Sequence, residues 1–299
     1  MSTSTPALSG NTWGSASPLF LPTLFIILWS SGYVAGKVGL PHAGPFTLIF
    51  LRFSVAALIL LVIAAVTRAP WPQTRRQWLH IAVVGVLIKA LQFSGLYSGL
   101  SLGVSAGVSS VIVGLMPILT TVGAVYFLGE RVNRTQVLGL IVGLAGVALV
   151  VWHKIQLDGD TLLGYGAVLL ALVGISSGTL YQKKFCTGMD LRTGGFIQLA
   201  VATAIVGSIG YLHEGLAVEW TPALIGSTLW LSLVNSIGAI SVLFLMVRRG
   251  EASRVASLFY LIPSVTALMG YAVLDETLTP LQMAGFLISA SGVYLTTRK

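Results

Sequence analysis

Charge is what this chain has least of. Only 9% of its 299 residues are Asp, Glu, Lys or Arg, against about 25% in a soluble globular domain. That is too little polar surface to cover a water-soluble particle. A net charge of +8 could suggest nucleic acid as a partner. The charges are scattered over short loops, however, which is a membrane pattern, and no nucleic acid is expected. There is one cysteine, Cys186, which excludes an intramolecular disulfide and a multi-cysteine metal site; it reads as a small packing residue. None of the nine acids falls inside an apolar run, so a buried carboxylate relay is missing. The four histidines (His42, His80, His153, His213) sit near helix ends and offer no relay either. No Walker loop, metal-ligand cluster or dinucleotide glycine fingerprint occurs, and no cofactor or metal is expected. A membrane-embedded enzyme would need a polar catalytic cluster near an interface, and the sequence has none. Ten-residue alternating strands are absent too, which argues against a barrel.

What is present is apolar and helical. Hydrophobic residues make up 55% of the chain and the mean hydropathy is +0.90. Many runs reach the roughly 20 apolar residues that a spanning helix needs. The pattern predicts an all-α membrane protein of ten helices, at about 19–37, 45–66, 78–99, 104–128, 134–152, 161–184, 192–212, 222–247, 252–274 and 279–297. The 34 glycines suit close helix packing. Residues 1–18 are polar and lack a basic region, so they read as a disordered cytoplasmic tail rather than a signal peptide.

The chain also repeats itself. Shifted by 146 positions, the stretch from Ala106 falls on that from Ala252, with Pro117 on Pro263, Glu130 on Glu276, Gln136 on Gln282, Gly139 on Gly285 and Gly146 on Gly292. Upstream, Ser30-Ser31-Gly32 falls on Ser176-Ser177-Gly178 and Lys37 on Lys183. Residues 19–152 and 161–299 are thus two five-helix repeats joined by an outer-side linker, 153–160. An odd helix number inverts the second copy in the membrane and places a central cavity between the halves. With both termini cytoplasmic, 13 of the 17 Lys and Arg residues fall on the cytoplasmic side and only Lys37 and Lys154 outside, as the positive-inside rule requires.

Two such repeats, each carrying Pro, Leu-x-Glu, Gln-x-x-Gly and a later Gly, resemble the drug/metabolite transporter superfamily. The residues are Pro117, Leu128, Glu130, Gln136, Gly139 and Gly146, then Pro263, Leu274, Glu276, Gln282, Gly285 and Gly292. The early Trp29-Ser30-Ser31-Gly32-Tyr33 fits as well. The chain is most similar to EamA-type carriers and, among them, to YddG-type exporters of aromatic and other neutral amino acids. The resemblance implies ten helices around a cavity, alternating access and no ATP.

Lys89 is the sharpest residue signal, because a mid-helix Lys is costly unless it faces a cavity or a partner. It could meet a substrate carboxylate, or it could cap carbonyls of a broken helix. Gln92, Phe93 and Tyr97 share its helix face. The 146-residue shift carries Lys89 to Asn235, which either lines the cavity or bonds between helices. Trp29, Ser30, Ser31 and Tyr33, with Ser177 and Tyr181, form a second candidate cluster for substrate or for packing. Tyr260 is a candidate gate or cavity aromatic. Pro117 and Pro263, both read as mid-helix, are candidate hinges. Lys37, Lys183 and Arg52 read as residues that reach the membrane interface, and Glu130 and Glu276 as loop-fixing charges or caps.

The sequence therefore predicts a bacterial inner-membrane carrier that exports small neutral or zwitterionic metabolites, amino acids including aromatic ones, down their own gradient. A broad-specificity drug exporter or another metabolite carrier of the same fold is the alternative. The expected partners are the bilayer and a small-molecule substrate, with no protein partner evident.

Overall fold

The computed structural model describes residues 20–129, 133–152, 159–248 and 261–297. Among the described residues the structure is all helix and turn; a single isolated bridge joins Ala43 and Val218. In chain order the helices are α1 (Phe20–Gly39), α2 (Pro45–Val66), α3 (Arg75–Ser101), α4 (Ala106–Val113), α5 (Met116–Leu128), α6 (Arg134–Trp152), α7 (Gly159–Phe185), α8 (Leu191–Glu214), α9 (Pro222–Leu229 continuing through Trp230–Ala239 to Ile240–Arg248), α10 (Ile262–Leu274) and α11 (Pro280–Thr297). Among the described residues, seven spans are long and apolar enough to cross a bilayer, and Arg134–Val150, Ile262–Leu274 and Pro280–Leu295 are shorter apolar helices.

The helix ends are set by identifiable groups. α3 starts at Arg75, three residues before the expected start, because Thr74 and Gln77 form a reciprocal capping box. The repeated glutamines do the same work. Gln136 and Asn133 satisfy each other's backbone N–H groups ahead of α6, and Gln282 and Thr279 do so ahead of α11. At the start of α2 the Glu214 carboxylate accepts from the Phe46 N–H at 3.0 Å and from the Thr47 N–H and hydroxyl at 2.7 and 2.6 Å. A carboxylate there meets otherwise unpaired donors and the positive end of the helix dipole.

The fourth expected helix, 104–128, is two helices. It breaks at Gly114–Leu115, and Pro117 lies in the first turn of α5. The same position in the second half, Pro263, lies in the first turn of α10. The mid-helix placement of both prolines is therefore corrected. Proline is accommodated in a first turn, where its missing N–H costs nothing. The break at Gly114 faces the start of α10, since a Cβ on Gly114 would touch Pro263 at 3.4 Å.

Two stretches wind as π-helix, Gly85–Leu91 in α3 and Trp230–Ala239 in α9. A 146-residue shift carries the first into the second. Such π turns recur at functional sites, and here they hold Lys89 and Asn235.

Close backbone approach holds the helices together. α6 packs along α11, and a Cβ on Gly292 would run into the backbone of Gly143, as one on Gly146 would into that of Ser289. α3 meets α7 in the same way, with Gly95 against the backbone of Ala167 and Ala171. Glycines at these crossings let helices approach where side chains would separate them.

Candidate functional site

α1, α2, α3, α7 and α9 surround a central cavity with an empty volume of about 650 Å³. It is lined by Trp29, Gly32 and Tyr33 of α1, Arg52 of α2, Ile88, Lys89, Gln92, Phe93, Leu96 and Tyr97 of α3, Ile175 of α7, and Asn235, Ser236 and Ile240 of α9. The face predicted from helical spacing, Lys89, Gln92, Phe93 and Tyr97, all lines it, and Trp29, Tyr33 and Asn235 join from other helices. A second space of about 390 Å³ shares Trp29, Tyr33, Gln92 and Ile175 and continues to Gly114, Pro117 and Ile262. This second space reaches the break at Gly114 and the start of α10.

Arg52, read from sequence as an interfacial residue, is instead 5% exposed in this cavity. Its Nε donates to Ser236 Oγ at 3.1 Å and its Nη1 to the Tyr97 hydroxyl at 2.9 Å. The guanidinium carbon stands 4.5 Å from the centroid of the Phe93 ring. Ser232 and Ser236 bind this arrangement to the π stretch of α9. The Ser232 hydroxyl donates to the Arg52 carbonyl at 3.0 Å, and that of Ser236 to the Leu231 carbonyl at 3.0 Å. Lys89 Nζ lies 5.9 Å from the same Phe93 centroid, so one ring is flanked by two cations. Asn235 donates from Nδ2 to the Leu28 carbonyl at 2.6 Å, while its Oδ1 is buried with no hydrogen-bond partner among the described residues.

Other candidates go elsewhere. Ser30 is fully buried and donates to the Ile262 carbonyl at 3.3 Å. Ser31 donates to the Leu28 carbonyl and accepts from the Trp230 indole at 2.8 Å. Both serines join α1 to its neighbours instead of facing the cavity. Ser177 and Tyr181 line an apolar groove between α5 and α7. Ser177 bonds its own helix, and the Tyr181 hydroxyl meets His80 Nδ1 at 2.8 Å. Pro117 lines the second space, and Pro263 packs against the break at Gly114. Tyr260 and Glu130 lie outside the described residues.

Lys37 is not a simple anchor. Its Nζ pairs with Glu276 Oε1 at 2.8 Å, and the same oxygen accepts from the Ala106 N–H at 2.8 Å. Glu276 thus ties α1, the start of α4 and the segment after α10 at one point, as a cap and an ion pair together.

The profile of the EamA-like transporter family matches residues 16–152 and again 162–298. The chain is 32% identical over 290 residues to the "Uncharacterized transporter YvbV" of Bacillus subtilis (strain 168), covering 93% of this chain and 91% of that protein. It is 26% identical over 287 residues to the "Probable amino-acid metabolite efflux pump" of Escherichia coli (strain K12), covering 92% and 93%. A crystal structure with a chain 17% identical superposes at a TM-score of 0.67, covering 92% of this chain and 95% of that one. That likeness shows a shared fold.

Proposed function

The chain belongs to the EamA-like transporter family, an integral multi-pass membrane transporter, and from that premise we propose that it is an alternating-access carrier exporting small carboxylate-bearing metabolites, amino acids including aromatic ones among them. The observation that carries this reading is the cavity, where Lys89 and four aromatic rings, Trp29, Tyr33, Phe93 and Tyr97, surround one space. A cation set among aromatic walls matches a carboxylate attached to an apolar side chain. The relative named as an amino-acid metabolite efflux pump supports the substrate class. The described residues bring no carboxylate to the cavity wall, which speaks against a cationic drug as cargo and against proton coupling through a buried acid.

In this reading ten helices form two inverted five-helix repeats in a bacterial inner membrane, with both termini in the cytoplasm. The π stretches, and the helix starts that carry Pro117 and Pro263, lie at matched positions of the two halves and support such a pairing. The Lys37–Glu276 pair then closes the outer side, and Gly114 with Pro117 and Pro263 forms the hinge.

Counterflow in proteoliposomes tests the reading. Vesicles are loaded in turn with unlabelled threonine, methionine, phenylalanine or tryptophan, and entry of label is followed for wild type and Lys89→Ala. Exchange that Lys89→Ala weakens supports carrier and site. Exchange indifferent to Lys89→Ala removes Lys89 from the site. No exchange by folded protein removes the substrate class.

A further inference from the structure

The cavity holds positive charge, and no carboxylate among the described residues lines it. Lys89 and Arg52 approach one phenyl ring, at 5.9 and 4.5 Å from its centroid. Of the acids whose side chains the structure describes, Asp190 pairs with Arg192, Glu214 caps the start of α2, Glu276 pairs with Lys37 and Glu219 faces His42, while Asp275 follows α10; none of them lines the cavity. Among the described residues, the Arg52 guanidinium donates to neutral oxygens, those of Tyr97 and Ser236. Such bonds satisfy donors but leave the charge in place. Two like charges in a poorly solvated space repel each other, and a bound anion relieves both at once.

Within that class of carboxylate-bearing cargo, a free amino acid uses only part of this site. Its carboxylate is matched by Lys89, but its ammonium must then lie near one of two fixed cations. No carboxylate among the described residues lines the cavity to receive that ammonium; Asn235 Oδ1 is buried, and the amide nitrogen of Asn235 is committed to the Leu28 carbonyl. We propose that the preferred cargo, within the carrier reading on which this rests, is an organic anion with one carboxylate, an apolar or aromatic body and no ammonium group: an aryl-alkyl carboxylic acid, or an amino acid whose amine is acylated. Lys89 takes the carboxylate. Arg52, held in place by Tyr97 and Ser236, supplies the second positive field, and the aromatic walls take the body.

The test is a binding titration on purified full-length protein, read by calorimetry, with N-acetylphenylalanine, 3-phenylpropionate and phenylalanine. The two anions are expected to bind about tenfold or more tightly than phenylalanine. In Lys89→Gln the ratio falls to within about threefold, and in Lys89→Arg, which keeps the charge, it persists. Phenylalanine binding as tightly as the anions, or wild type binding none of the three, overturns the proposal. Counterflow with the same compounds separates it from the carrier reading. Binding preference without exchange defeats the carrier and keeps the site, whereas exchange that favours phenylalanine defeats the anion preference and keeps the carrier.

Discussion

The guanidinium of Arg52 and the hydroxyl of Tyr97 form a 2.9 Å hydrogen bond between α2 and α3, with Arg52 5% and Tyr97 1% exposed. A charged donor in such a place is costly to leave without its acceptor. Tyr97→Phe keeps the ring and removes only the oxygen. It is expected to destabilise the protein by about 1–3 kcal/mol, seen as a lower midpoint in a thermal unfolding assay in detergent. Ser236→Ala removes the other acceptor of Arg52, and the double variant is expected to cost more than the sum of the two, because Arg52 then loses both of its side-chain acceptors.

The cavity was half legible in the sequence. Lys89, Gln92, Phe93 and Tyr97 came from helical spacing, and Asn235 from the internal shift, because both signals describe which residues share a face. Arg52 was misplaced by a depth argument. Seven residues into α2, at about 1.5 Å per residue, it lies about 10 Å inside, a distance at which a long side chain can point either way. Its isolation as the sole charge in Pro45–Val66 was the available signal. Ser30 and Ser31 looked like ligand-binding residues, yet they bond to backbone and indole groups of neighbouring helices, contacts that spacing along one helix does not reveal. The helix break before Pro117 escaped because a proline marks trouble nearby without saying whether the helix bends or restarts. The glutamines of the repeat were read as a family signature; their physical work is capping α6 and α11.

Phe93 carries the two cations of the cavity on one ring. In Phe93→Leu the volume is largely kept and the ring quadrupole is lost. Arg52 keeps its bonds to Tyr97 and Ser236, so the fold is expected to persist. The half-saturation concentration for aromatic cargo is expected to rise about three- to tenfold, in line with one aromatic contact. Competition assays with aromatic and aliphatic cargo side by side check this, and an equal loss for both would contradict a stacking role.

The Lys37–Glu276 pair is partly shielded, with side chains 26% and 10% exposed. Glu276→Gln keeps an acceptor for the Ala106 N–H and removes the charge that holds Lys37. Loss of about 1 kcal/mol of closure shifts an open-to-closed ratio by about fivefold. In a Cys186→Ser background with Gln92→Cys in the cavity, an impermeant thiol reagent applied outside is expected to label the Glu276→Gln variant faster by about that factor. Unchanged labelling would assign the pair to fold stability alone.

Gly292 and Gly143 meet backbone to backbone where α11 crosses α6. Gly292→Leu puts a branched side chain into that contact and is expected to cost about 3 kcal/mol or more, with loss of monodisperse protein on size-exclusion chromatography. Gly166→Ala is the control. A Cβ there meets nothing within 4 Å, and replacing a mid-helix glycine gains about 0.5–1 kcal/mol, so that variant is expected to unfold at a slightly higher temperature.

Asp190 begins α8, outside the apolar span, accepting from the N–H groups of Arg192 and Thr193 and pairing with the Arg192 guanidinium at 2.7 Å. The hydrogen bond from the Arg192 side chain, with the backbone bonds, holds its carboxyl below the usual carboxylate range. A carboxylate with a depressed folded-state pKa stabilises the fold fully above its unfolded value and loses that contribution as pH falls through the folded value. The loss therefore begins near the ordinary aspartate value of about 4 and continues below it. Asp190→Asn keeps a capping oxygen but has no charge to protonate. The unfolding midpoint of this variant is expected to lie slightly below wild type near neutral pH, where the Arg192 pair is missing. The two midpoints are expected to converge as pH falls below about 4. Parallel midpoints across that acid window would show that Asp190 acts only as a neutral cap, with its charge contributing nothing.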